Sequence, residues 1–347
     1  MKYVGLENVE PGQVLGKSIY SGNGRVLLAA GVSLTVYMIN TLNRIGVTML
    51  YIQDPVFDDV DPEEIVSEVT KQAVMQEMND AFEAIRSGKE WSSRNIGISI
   101  GRILDDVMSS KELLIQLTDI RTEDNAHFVH AMNVCLMSTV IGMNMGLNYS
   151  QLKELSIGAL LHDIGKIGLR AAGADSNNGV PIEKKVHHTW RGFEQLKSKQ
   201  EFGLMVAHIA LQHHEQPDGL GEPRGLTAAE IHPYAKIVAA SNLFDNLINP
   251  LHGGGHSPDE ACEKLMAMSE KQLDHEILVH FIRNISVYPN GTAVRLSTKE
   301  TGVVVRQHRG LPGRPIVRIA QANGDKLDIS EVDLALHPTV FIETVLT

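Results

Sequence analysis

The spacing of hydrophobic positions changes three times along the chain. Residues 1–54 mix short β-branched runs with turn signals at Pro11-Gly12 and Ser21-Gly22-Asn23-Gly24, and apolar positions recur at helical intervals only over 34–45. An acidic run follows over 58–64, in which Asp61-Pro62-Glu63-Glu64 supplies an N-cap, a proline at the first helical position and first-turn acids. A linking helix is expected from there toward Ser87. From about 111 to 281 the period is helical almost throughout, broken at Gly146-Leu147-Asn148, 172–181, 216–225 and 249–257. Beyond Tyr288-Pro289-Asn290-Gly291, strand-like segments appear at 302–307, 315–321 and 339–346. These shifts define a mainly α protein with an all-helical domain at 120–285. A small α/β module (1–57), linking helices (58–119) and a small β module (286–347) flank it. No internal repeat or low-complexity segment is present.

The uncharged stretch 131–152 is long enough to suggest a membrane span. Asn133, Ser138, Thr139, Asn144 and Asn148 would strand amides and hydroxyls in hydrocarbon, so a helix buried inside a helical protein is expected instead. With 43% hydrophobic and 21% charged residues in 347, the chain can fold throughout into two or three units. A net charge of -11 argues against a general binder of nucleic acid or anionic membrane, because phosphate surfaces require positive charge. A small anionic ligand is compatible where a metal supplies the positive charge. Cys135 and Cys262 lack metal-type spacing, and no secretory hydrophobic segment opens the chain, so a cytoplasmic location is expected.

Eight of the fifteen histidines fall between residues 127 and 214. Metal sites gather neutral imidazoles and add a carboxylate to balance charge, whereas surface histidines scatter. The sharpest element is Leu160-Leu161-His162-Asp163-Ile164-Gly165-Lys166, where an apolar helix delivers His162 and Asp163 at its C-terminal end. Asp163 can bridge two ions while His162 ligates one. Ions about 3.5 to 4 Å apart generate hydroxide at neutral pH and clamp both oxygens of a phosphate in displacement. Lys166, one turn on, suits a phosphate oxygen, although a cation there also favours the helix C-terminus. A second element, His213-His214-Glu215-Gln216-Pro217-Asp218-Gly219-Leu220-Gly221-Glu222-Pro223-Arg224-Gly225, pairs two histidines with a Gly- and Pro-rich loop. Its glycines allow close backbone approach to a ligand, and Asp218 can orient an imidazole.

These motifs, with Val129-His130-Ala131-Met132-Asn133-Val134 and His188-Thr189-Trp190-Arg191-Gly192, resemble the HD-GYP family of phosphohydrolases in order and spacing, over about half of the chain. The resemblance implies a phosphodiesterase that hydrolyses cyclic di-GMP to the linear dinucleotide or GMP with two divalent ions, iron or manganese. It makes His130, His162, Asp163, His188, His213, His214 and Asn242 metal ligands, and Asp163 and Lys166 catalytic. Lys166, Asp218, Gly221 and Arg224 would contact substrate. The flanks Leu6-Glu7-Asn8-Val9-Glu10-Pro11-Gly12 and 288–297 resemble modules that accompany the family domain. A diguanylate-cyclase-type protein partner and a homodimer through the helix near 62–87 complete the expectation.

The chain departs from the family pattern at four places. Glu222 replaces the aromatic of the signature loop, and an acid there repels phosphate and cannot stack on guanine. Asn242 replaces an aspartate ligand, removing one negative charge. Leu251-His252-Gly253-Gly254-Gly255-His256 stands where an arginine-rich phosphate-binding stretch is usual. Ala126, four residues before His130, replaces the glutamate of three-metal members and favours two ions. Two alternatives therefore stand beside cyclic di-GMP hydrolysis: a degenerate signalling or interaction module, and a hydrolase of another small phosphate ester. His127, His208, His252 and His256 are expected at the surface or behind the ligands, and His187 exposed.

Overall fold

The computed structural model describes residues 1–60, 64–110, 114–117, 119–167, 187–249, 255–323 and 326–346. Part of the signal at 61–64, the interruption expected at 172–181 and the glycines of 251–254 lie outside these.

In the N-terminal module, β1 (Lys2–Gly5) pairs antiparallel with β4 (Met49–Ile52), and β2 (Ile19–Tyr20) with β3 (Val26–Leu28). Helix α1 (Val36–Arg44), capped by Thr35 on Met38 N, closes a separate small core of Leu15, Leu34, Leu42 and Leu50. Helices α2 (Glu68–Arg86) and α3 (Ser93–Ser109) follow and pack on each other. Helix α2 starts later than the sequence suggests: Ser67 caps it by accepting from Thr70 N, and residues 64–67 are not helical. The hydroxyl on a free backbone N–H wins over the upstream proline as the start signal.

Among the described residues, seven helices form the central domain: α4 (Ala126–Asn144), α5 (Tyr149–Leu160), α6 (His188–Lys197), α7 (Leu204–Gln212), α8 (Pro233–Ile248), α9 (Pro258–Ala267) and α10 (His275–Asn284). Helix α4 buries fifteen of its nineteen residues, as a helix apolar on every side must, and packs against α5, α8 and α10. Among the described residues it is the one helix long and apolar enough to cross a membrane, and most of it is covered by protein. Its polar residues find partners there: Thr139 Oγ1 lies 2.7 Å from Ser156 Oγ, and Ser138 donates to Ser241 at 3.2 Å. The chain breaks at Gly146 (φ 80°) and restarts with a reciprocal capping box between Asn148 and Gln151.

The C-terminal module is one antiparallel sheet of order β8-β7-β6-β5-β9, from β5 (Ala293–Leu296), β6 (Thr301–Arg306), β7 (Ile316–Asn323), β8 (Lys326–Asp333) and β9 (Ile342–Val345). Strands β5 and β8 escape the sequence reading; β8 carries Lys326, Asp328, Glu331 and Asp333, which mask its alternation. Alternate residues of β6 split between two cores, Val304 into the main helical core and Val303 and Val305 onto Phe57 and Val60.

Candidate metal centre

Helix α5 ends at Leu160, and the turn after it carries His162 and Asp163 into a short 3-10 segment, Ile164–Lys166. A Cβ on Gly165 would lie 2.0 Å from the His188 carbonyl oxygen and 2.5 Å from Gly192 N. Only glycine lets the first turn of α6 approach so closely, and that approach sets His188 beside Asp163. Gly158 does the same between α5 and α7, where an added Cβ would meet Ile209 Cδ1 at 2.3 Å. Helix α7 then ends at Gln212 and presents His213 and His214 to the same point, while α4 brings His130 from the opposite side.

Asp163 sits at the centre. Its Oδ2 is 3.5 Å from His162 Nε2 and 3.9 Å from His130 Nε2; its Oδ1 is 3.3 Å from His188 Nε2 and 3.5 Å from His213 Nε2. The six side chains form two ligand-type groups sharing that carboxylate, His130–His162–Asp163 and Asp163–His188–His213–His214.

The hydrogen bonds fix where the lone pairs point. His162 Nδ1 is 2.7 Å from the Ala159 carbonyl and His213 Nδ1 is 2.9 Å from that of Ala210, so each must donate its proton there. His130 Nδ1 lies 2.6 Å from Asp245 Oδ2 and donates likewise. The Nε2 atoms of His130 and His162 are then both acceptors, yet they face each other at 3.3 Å. Two facing lone pairs need a cation between them. Asp163 Oδ1 adds to this, being a buried oxygen without a hydrogen-bond partner among the described residues. The donor set of imidazoles and one carboxylate fits divalent transition ions.

Burial, against the pull of Asp163, lowers the His162 imidazole to about 3. Burial, and then His213 and His188, lower His214 to about 2, and burial holds His213 below the ordinary range despite Asp163. Burial alone would raise Asp163, but the surrounding imidazoles outweigh it and keep the carboxyl well below its usual value. The result is that His162, His213 and His214 stay neutral beside an ionised carboxylate, the protonation state that metal ligation requires.

The other residues named from sequence fall in different places. Lys166 Nζ, largely exposed, donates to Asp163 Oδ2 at 2.6 Å, at the rim of the cluster. Asn242 is buried on α8, and its Oδ1 accepts from Asn246 Nδ2 at 2.9 Å; an amide oxygen keeps a second lone pair for an ion. Among the described residues Asp218 orients no imidazole: its carboxylate closes a turn on Leu220 N at 3.0 Å. Gly221 serves the loop itself, since an added Cβ would lie 2.2 Å from Gln216 N. Arg224 is exposed, and its backbone N donates to Glu215 Oε1. His187 is only partly exposed, 3.3 Å from Glu222 Oε2 and 2.7 Å from Thr189 Oγ1.

Sequence reasoning gave no role to three residues. Glu215 is buried and accepts from Arg224 N and Leu226 N, both at 2.9 Å, which pins the loop after the histidine pair. Asp245, fully buried, holds His130, and Arg121 holds Asp245. An acid on the apolar helix 237–248 was the available signal, because a buried carboxylate needs partners.

An all-helical domain whose helix ends bring a histidine–aspartate pair and further imidazoles to one point defines a class: helical proteins with a His/Asp cluster of metal-ligating type. A model of the HD domain matches residues 105–277, and a model of a KOW domain associated with the HD domain matches 293–347. The chain belongs to the HD-domain family. It is 26% identical over 272 residues to a cyclic di-GMP phosphodiesterase of Pseudomonas aeruginosa, covering 76% of this chain and 64% of that one. It is 32% identical over 179 residues to a cyclic di-GMP phosphodiesterase of Thermotoga maritima, covering 50% and 48%. A 3'3'-cGAMP-specific phosphodiesterase of Vibrio cholerae is 26% identical over 194 residues, with 53% and 43% covered. The chain thus spans about half to two thirds of the length of these relatives. An HD-GYP protein of Bdellovibrio bacteriovorus is similar in structure at 18% identity and a TM-score of 0.47, covering 80% of this chain and 97% of that one.

Proposed function

We propose that the chain is a metal-dependent phosphodiesterase of cyclic dinucleotides, with cyclic di-GMP as its substrate and the linear dinucleotide or GMP as product. One observation carries the reading: the two oxygens of Asp163 face different sets of imidazoles. His130 and His162 would hold one divalent ion and His188, His213 and His214 the other, with Asp163 between them and Asn242 a further candidate. Bound there, iron or manganese would supply Lewis acidity toward a phosphate and a nucleophile at neutral pH.

The chain's own groups do the rest. Asp163 keeps its charge and balances the ions. The Nδ1 bonds of His130, His162 and His213 hold their rings at fixed angles. Lys166, at the rim and on a flexible stem, can swing from Asp163 to a phosphate oxygen and offset the charge that develops on it. The loop pinned by Glu215 walls the cluster on the side of Glu222.

The relatives named for cyclic di-GMP and for 3'3'-cGAMP support the substrate class and leave its bases open. Glu222 favours a second reading, hydrolysis of another small phosphate ester. Its carboxylate lies near His187 at the mouth and would repel a bulky dianionic dinucleotide. Anaerobic purification, iron and manganese counts per chain, and cyclic di-GMP turnover beside His162→Ala separate the readings. Two ions with turnover abolished by the substitution is the expected result. Two ions without turnover of cyclic di-GMP would favour the second reading, and a chain that takes up no ion would leave an interaction module.

A further inference from the structure

A carboxylate taken out of water costs several kcal/mol unless its lone pairs are filled. Asp245, wholly buried on α8, fills them with four bonds: Arg121 Nη2 at 2.6 Å to each oxygen, Asn133 Nδ2 at 2.9 Å to Oδ1, and His130 Nδ1 at 2.6 Å to Oδ2. Arg121 thus fixes the carboxylate in the orientation that receives the His130 ring. The ring in turn donates from Nδ1 and turns the Nε2 lone pair toward His162 and Asp163. With the guanidinium gone, the buried carboxylate would have to turn or draw in water, and either change releases the ring.

We propose that Arg121 is a positioning residue for the His130 half of the cluster, acting through Asp245 on the tautomer and angle of the His130 ring. The inference rests on the reading that the cluster holds two ions. Arg121 is itself held in place through its neighbours in the chain. Its segment is clasped by the N-terminal module: Ile120 enters that module's core, Glu123 N donates to the Ile45 carbonyl at 2.9 Å, and Asn125 Nδ2 to that of Tyr20 at 2.8 Å. The seating of this module on the helical domain therefore sets the seating of one metal ligand.

The test titrates Mn2+ into the full-length, chelator-treated chain and follows binding by calorimetry and electron paramagnetic resonance, with a thermal melt of each metal-free protein as the folding control. The wild type should show two binding steps and an exchange-coupled pair signal. Arg121→Gln should weaken one step about 10- to 100-fold, leave the other unchanged and give an isolated-ion spectrum, with Arg121→Lys intermediate. Should the glutamine variant fail to fold, the lysine variant carries the same comparison. Two unaltered steps in a folded variant, or two steps weakened together in line with the melt, would overturn the positioning role while the metal reading stands. A wild type that binds no Mn2+ would overturn both.

Discussion

The two halves of the cluster are built differently. His130 and His162 are buried, each with Nδ1 tied to a fixed acceptor, the Asp245 carboxylate and the Ala159 carbonyl. In the other half His213 is tied in the same way, but His188 and His214 are partly exposed, and among the described residues neither has an Nδ1 partner. Fixed rings cost little to order when an ion arrives, so the first half is prepared for binding, whereas the second must pay in side-chain freedom and can adapt to what enters. On the proposed reading the first half would anchor its ion and the more open second half, next to which Glu222 meets His187, would adapt to substrate, while Lys166 reaches Asp163 from the Oδ2 side that faces His130 and His162.

The comparison breaks most completely at Asp163, the one ligand both halves share. Asp163→Ala should remove both ions and lower turnover by at least about 1,000-fold, since Lewis-acid stabilisation amounts to several kcal/mol and each decade of rate to about 1.4. Metal analysis of the variant beside its rate checks this. Retention of one tightly held ion would show that the halves are independent sites.

Much of the cluster was legible because most of its residues lie in short motifs at helix ends, with His130 inside α4 the exception, and there one residue type says what the position is for. The pair His162-Asp163 and the run His213-His214 announce themselves in this way, and the structure places them together. What the sequence hid is tertiary. Arg121 lies 124 residues from Asp245 along the chain, and neither motif nor period connects them. Gly165 reads as a helix terminator, yet its purpose is to admit the backbone of α6. The same division holds for the fold. Helix α1 was read within two residues at its start and one at its end because its period is strong, whereas β8 was missed because its charges interrupt the alternation.

Protons should act on both halves together, less severely than a lost ligand. His162 and His214 titrate near 3 and 2 in the folded chain, His213 is lowered as well, and the unfolded chain takes up a proton on each near 6.5. Below that value the unfolded state binds more protons, so stability falls as pH falls. The slope approaches about 1.4 kcal/mol per pH unit for each histidine until the folded value is reached. Asp163 and Asp245, both lowered, add to the loss only below about pH 4. Urea unfolding of the metal-free chain at pH 7.5 and 5.5 should show the difference, and equal stabilities would mean that the rings accept protons inside the fold.

The smallest expected effect comes from a position outside both halves. Gly22 N donates to Asp124 Oδ2 at 2.6 Å, and a Cβ on Gly22 would lie 2.6 Å from the Asp124 carbonyl oxygen. That carbonyl belongs to the backbone and cannot swing aside as a side chain would, so Gly22→Ala must push the segment 120–125 away from the module or strain it. Overpacking of this kind costs about 1 to 3 kcal/mol. Because Arg121 rides on the same segment, part of that displacement reaches Asp245 and the His130 ring. The Mn2+ step of the first half should therefore weaken by a few fold, less than in Arg121→Gln because the guanidinium is still present, while the step on the His188 side stays where it was. A melt that shifts with both binding steps intact would confine the module to a stabilising role and cut its link to the metal ligands.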